Sequence, residues 1–111
     1  MFREREVSGP VNSAIEVDDP YFSRLPKGYI TVAYFQDQAC TVPATPSTGD
    51  VTLHVWMRGG QEPLELEDSP LPSTDVASFG SWAGPAIKFK ATANAVAGAA
   101  YYKMTITANR G

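Results

Sequence analysis

A chain of 111 residues with 43% apolar and only 19% charged side chains is long enough for one hydrophobic core and too short for two domains. Nine glycines and nine prolines argue against a helical bundle, because a proline inside a helix costs about 3 kcal/mol. A formal charge of −3 leaves no electrostatic footprint for nucleic acid or an acidic bilayer, and one His and one Cys are little equipment for catalysis or metal binding.

Cys40 has no second cysteine to pair with, which excludes an intrachain disulfide and a disulfide-stapled secreted scaffold. The start of the chain, Met1 to Val7, alternates in charge without an apolar run and does not read as a signal peptide. No window approaches the roughly 20 apolar residues of a membrane span. Folding in a cytoplasm is expected, with neither membrane nor nucleic acid as partner.

Residues 1–12 read as an extended arm, because Arg3, Glu4, Arg5 and Glu6 offer nothing to bury. The segment is either a frayed terminus or an extension that orders against a neighbouring subunit through Phe2 and Val7. Residues 13–111 read as one domain. Ser13 to Val17 is a short strand with Ile15 and Val17 on one face, and Asp18-Asp19-Pro20 is a turn. Tyr29 to Gln36 alternates cleanly, with Ile30, Val32 and Tyr34 on one side and Tyr29, Thr31, Ala33 and Phe35 on the other. Asp37 to Asp50 is a long Pro/Thr connection, of a length that marks a functional or interaction loop.

Val51 to Met57 is the clearest strand: Val51, Leu53, Val55 and Met57 oppose Thr52, His54 and Trp56. Arg58-Gly59-Gly60-Gln61 reads as a hairpin turn into a return strand at Pro63 to Glu67, with Leu64 and Leu66 paired back onto the aliphatic face. Asp68 to Asp75 is another loop, Val76 to Phe79 a short strand, and Gly80 to Pro85 a bend. In Ala86 to Thr92, Ile87, Phe89 and Ala91 point inward and Lys88 and Lys90 outward. Asn94 to Ala100 reads as a linking turn, with room for a single helical turn in the alanine-rich run from Ala91. Ala100 to Thr107 closes the domain with Tyr102, Met104 and Ile106 on one face, before a tail at Asn109 to Gly111. Short strands at this spacing predict an all-β fold: an antiparallel β-sandwich, jelly-roll or immunoglobulin-like, of six to eight short strands with an extended N-terminal arm.

No convergent acid, base and nucleophile set is legible, so an enzyme is not expected, nor a metal, a cofactor or a small-molecule ligand. His54 reads as a satisfied or interface-facing histidine. Glu62, Glu65, Glu67, Asp68 and Asp75 cluster about one hairpin, but Glu65 and Glu67 alternate with Leu64 and Leu66 as a solvated strand face does. The aromatics are in surplus. Either both sides of the sheets are buried within the domain, or the excess forms an exposed binding patch. The candidate partner-binding residues are Phe2, Val7, Tyr29, Phe35, Trp56, Trp82 and Tyr101. Trp56, Trp82 or Tyr101 as stacking platforms keep a carbohydrate-binding or receptor-contact module of a tail or fibre as the alternative.

Phe79-x-x-Trp82-x-Gly84-Pro85-Ala86, the strand at Ile87 to Thr92, and Val96-x-Gly98-Ala99-x-x-Tyr102-Lys103-Met104-Thr105-Ile106-Thr107 resemble a pattern in small virion proteins of tailed bacteriophages. Thr45 to Asp50 leading into Val51 to Val55 resembles a hairpin start in the same proteins. The likeness covers about residues 45–107. It implies a structural protein of the capsid or tail, of the head-decoration (cement) or tail-accessory type, and carries over no catalytic residue. Its partners would be the major capsid protein or other virion proteins, in a homo-oligomer or symmetric array, in a virion assembled from protein made in the host cytoplasm. The arm and the loops Cys40 to Gly49 and Asp68 to Asp75 would then be the lattice contacts.

Overall fold

In an extended chain every second side chain turns to the same side, so an alternating sequence buries one face and wets the other. The computed structural model follows that rule along most of its length and describes residues 2–74 and 79–109. In chain order the strands are β1 (Phe2–Pro10), β2 (Ala14–Asp18), β3 (Lys27–Phe35), β4 (Thr48–Met57), β5 (Leu64–Glu65), β6 (Leu71–Pro72), β7 (Phe79–Ala83), β8 (Ala86–Ala97) and β9 (Tyr101–Asn109), with a 3-10 turn at Pro20–Arg24. Sheet I runs β1-β9-β3-β7. Sheet II runs β2-β8-β4-β5, with β6 also on β4, and every pairing is antiparallel. The two sheets form the expected β-sandwich.

The core lies between them. Sheet I contributes Ile30, Tyr34, Trp82, Tyr102, Met104 and Ile106; sheet II contributes Ile15, Val17, Val51, Leu53, Val55, Phe89, Ala91 and Ala93. Phe22 and Leu25, both fully buried, come from the 3-10 turn and its end. Phe22, Trp82 and Phe89 meet edge to face at centroid distances of 4.9–6.1 Å, the arrangement that opposes ring edges to ring faces. The small Ala91 and Ala93 leave space for Tyr102. Its hydroxyl donates toward the backbone carbonyls of Ser13 (2.5 Å) and Ala91 (3.0 Å).

Several expectations need correction. The segment 1–12 is extended but is no separate arm: Phe2 to Pro10 pair residue for residue with Asn109 to Tyr101 as the edge strand β1. Its charges are used rather than solvated, since Arg3 and Arg5 both bind the buried Asp19 carboxylate, at 2.7 and 3.0 Å. Residues 80–83, expected in a bend, are strand β7. Of the strand expected at Val76 to Phe79, residues 76–78 lie outside the described residues, as does Asp75. Asn94 to Ala97 continue β8 rather than turning, so the alanine-rich run is strand as far as Ala97, and the link to β9 is confined to Gly98 to Ala100.

On β8 the strict alternation fails at Ile87. Trp56 pairs with Lys88 but Met57 pairs with Ala86, so Ile87 is the extra residue of a β-bulge. Ala86 takes the buried place and Ile87 is only half-buried. Leu64 and Leu66 part company: Leu66 is buried, whereas Leu64, opposite Val55 at the sheet edge, is 54% exposed. The 36–47 loop crosses from sheet I to sheet II. It folds back on itself through Gln36 N–H to Val42 C=O, Ala44 N–H to Tyr34 C=O, and the Asp37 carboxylate. The Thr41 hydroxyl and the Val42 amide, both donating to Asp37, hold its carboxyl below the usual carboxylate range. In the tail, Asn109 belongs to β9 and residues 110–111 lie outside the described residues.

Candidate interaction surface

Register decides which side chains share a surface. On the outer face of sheet I, cross-strand rows can be read directly from the pairing. Phe2, Asn109, Lys27 and Ala83 form the first, and Glu4, Thr107, Tyr29 and Ser81 the second. Glu6, Thr105, Thr31 and Phe79 form the third, followed by Ser8, Lys103 and Ala33, then Pro10, Tyr101 and Phe35. Threonines occupy the middle, aromatics both ends, and the few charges are Glu4, Glu6, Lys27 and Lys103. Glu6 and Lys103 form an ion pair with each other at 3.4 Å.

Sheet II presents a different outer face. Glu16, Lys90, His54 and Glu65 lie in one row, and Asp18, Lys88 and Trp56 in the next. Lys88 binds Glu16 at 3.2 Å, and its ammonium lies 4.8 Å from the centroid of the Trp56 ring. This is an alternating-charge surface that water already satisfies. Among the described residues the exposed aromatic rings therefore gather on sheet I, while sheet II adds one large exposed aliphatic, Leu64 at its edge.

Phe2, Tyr29, Phe35 and Tyr101 are brought together on that face. Phe2 is 63% and Tyr29 46% exposed, while Phe35 and Tyr101 are half-buried, with the Lys103 ammonium 5.4 Å from the Phe35 ring centroid. Phe79 joins them at 55% exposure, its ring 6.2 Å from Tyr29 in an edge-to-face pair. Phe79 was among the surplus aromatics of the sequence but not among the candidate binding residues. Its outward place follows from the pairing of β7 with β3, which sets Phe79 opposite the exposed Thr31. Together Phe2, Lys27, Tyr29, Phe79, Ser81 and Asn109 line much of a groove of about 620 Å³.

The other candidates do not join this surface. Val7 turns inward opposite Met104 and packs against the core. Trp56 belongs to the charged face of sheet II. Trp82 lies at the base of the groove but is only 5% exposed, edge-on to Phe22 and Phe89, which leaves little of its ring face open to stacking. Its indole Nε1 is sealed in the interior with no hydrogen-bond partner among the described residues, out of reach of a ligand.

For chemistry the arrangement offers little. His54 is half-buried between Lys90 and Glu65 in its row. Asp68 accepts hydrogen bonds from the Ser81 amide and hydroxyl, each at 3.1 Å, and Glu65 and Glu67 are exposed. Among the described residues no group of His, Cys, Asp and Glu is placed to hold a metal ion, and no helix is long and apolar enough to cross a membrane.

A family model described as a domain of unknown function, DUF7265, matches residues 6–111. The chain belongs to the DUF7265 family. The match begins within β1 and takes in every other strand. A comparison with curated protein sequences finds no match. Among solved structures, the SPBc2 prophage-derived protein YomS is similar over 97% of this chain and 96% of its own, with a TM-score of 0.53 at 7% identity. A protein of Bacillus endospore appendages, described as disulfide-linked pili, is similar over 100% of this chain and 88% of its own, with a TM-score of 0.49 at 14% identity. The YomS likeness shows that this sandwich fold also occurs in a prophage-derived protein.

Proposed function

We infer that this DUF7265 protein is a non-enzymatic structural subunit of a bacteriophage virion, a capsid-decoration (cement) protein that joins the assembled shell. The observation that carries the reading is the outer face of sheet I, where exposed aromatics and threonines lie on the side opposite the more highly charged outer face of sheet II. Contiguous apolar area of this kind on a small soluble domain marks a surface that is covered in use. The resemblance of residues 45–107 to small virion proteins supplies the setting. Repetition on a symmetric shell lets weak contacts sum through effective concentration, which suits a face with few charges.

The reading is tested on particles. Purified virions should contain the chain in many copies, and purified protein should rebind particles that lack it. The double variant Tyr29→Ala, Phe79→Ala should weaken rebinding at least tenfold, since aromatic anchors dominate interfaces. Absence of the chain from purified particles, or rebinding indifferent to the double variant, overturns the assignment.

The groove favours a second reading, a receptor-contact module that binds carbohydrate. The rings of Tyr29 and Phe79 there adjoin Lys27, Ser81 and Asn109, an apolar platform beside polar groups. Glycan-array binding abolished by Tyr29→Ala would establish it; a blank array would remove it.

A further inference from the structure

We propose that the outer face of sheet I is covered by a second copy of the same chain, as a two-fold face-to-face dimer. The proposal rests on the virion reading and names the partner of that same surface. It is argued from self-complementarity. Consider a two-fold axis lying in the interface along the row Glu6, Thr105, Thr31, Phe79. Each residue of that row then meets its own copy: Thr31 on Thr31, Thr105 on Thr105, Phe79 on Phe79.

The rows on either side exchange places. Lys27 falls over Phe35 of the second copy, beside the Lys103 ammonium that already lies 5.4 Å from that ring's centroid, and Glu4 lies over Ser8. Tyr29 covers Ala33, large upon small. The like pair Glu6–Glu6 falls on the rim strand β1, where each carboxylate is already bound to its own Lys103 at 3.4 Å. The same operation on sheet II would trap the alternating charges of its outer face away from water, at a desolvation cost that ion pairing seldom recovers.

The area is at the lower limit for a specific interface, and the 36–47 loop brings Ala39 and Cys40 beside Glu6, Ser8 and Lys103 at one side of the face. Strands spaced about 4.8 Å apart, rising about 3.3 Å per residue, give a face of on the order of 500 Å² in projection, with β7 shorter than the others. A pair of copies covers about 1,000 Å² before side-chain relief is added, the size at which specific interfaces begin. A dimer of moderate affinity follows, strengthened when copies are held on a lattice.

The test uses the full chain in sedimentation equilibrium from micromolar to submillimolar concentration. The wild type should show a dimer. Thr31→Arg and Thr31→Glu, each exposed at the axis and each facing its own like charge, should separately weaken association at least tenfold. An equimolar mixture of the two should restore a dimer, which only self-association across this axis explains. Glu65→Lys on sheet II should leave the mass unchanged, and far-UV circular dichroism should show all variants folded. A wild-type monomer throughout the range overturns the proposal, as does a dimer that both Thr31 variants leave intact or that their mixture fails to rescue. A monomer that still joins particles sinks the dimer and spares the virion reading; a dimer absent from particles does the reverse.

Discussion

At the scale of single residues, Gly28 shows how closely the two faces of sheet I depend on each other. A Cβ at this position would stand 2.4 Å from the backbone oxygen of Thr107 and 2.4 Å from Cη2 of Trp82. Neither neighbour can yield, because one is β9 backbone and the other is wedged against Phe22 and Phe89. Gly28→Ala should therefore destabilise the fold by about 2–3 kcal/mol, as overpacking does, measured as a drop in the urea midpoint. An unchanged midpoint would mean that Trp82 is looser than its contacts indicate. The bare backbone at Gly28 was legible only as a glycine; the ring beneath it comes from Trp82, 54 positions further along the chain.

At the scale of elements, β1 carries the main lesson. Read alone, Phe2-Arg-Glu-Arg-Glu-Val looks solvated, yet alternation places Glu4 and Glu6 outward and Arg3 and Arg5 toward the 3-10 turn. There Asp19, only 4% exposed, takes both guanidiniums, and the Arg3 guanidinium lies 4.6 Å from the Tyr21 ring centroid. Deleting residues 1–10 should strip one edge of β9 and leave the buried Asp19 carboxylate without its partly exposed cations, a loss of about 1–3 kcal/mol for the unsatisfied carboxylate in addition to the lost strand pairing. Chemical denaturation of the truncated chain checks this. An arm would come off without effect, and a midpoint equal to that of the full chain would restore that reading. The β8 bulge teaches the complementary point. Ile87 fits the period of its own segment, and only pairing with Trp56 and Met57 on β4 puts it out of phase.

At the scale of the whole molecule, the sandwich holds two phenols away from water. Burial pushes the hydroxyls of Tyr34 and Tyr102 up from 10.0 to about 12, for Tyr34 with help from Tyr102 and Asp50. Unfolding returns both to the ordinary value, so between about pH 10 and about pH 12 the unfolded chain gives up protons that the folded one keeps. Stability is full below that window and falls as pH rises through it, by about 2–3 kcal/mol for each tyrosine. Urea midpoints measured across the window should decline, and Tyr34→Phe with Tyr102→Phe should flatten the decline. A wild-type midpoint that stays level through the window would contradict the burial of both hydroxyls.

The alternation of β2, β3, β4 and β9 determined the strand class, the buried set Ile30, Leu53, Val55, Tyr102 and Ile106, and the outward placement of Tyr29, Phe35 and Tyr101. Period-2 sequence carries that information locally, because a side chain's face depends only on its neighbours in the chain. Tertiary structure alone decided that Trp82 is core and Phe79 surface, that the charged N-terminal segment is a strand, and that the aromatics of β1, β3, β7 and β9 share one face. Those outcomes depend on register between segments far apart in sequence, where a shift of one residue exchanges inside for outside.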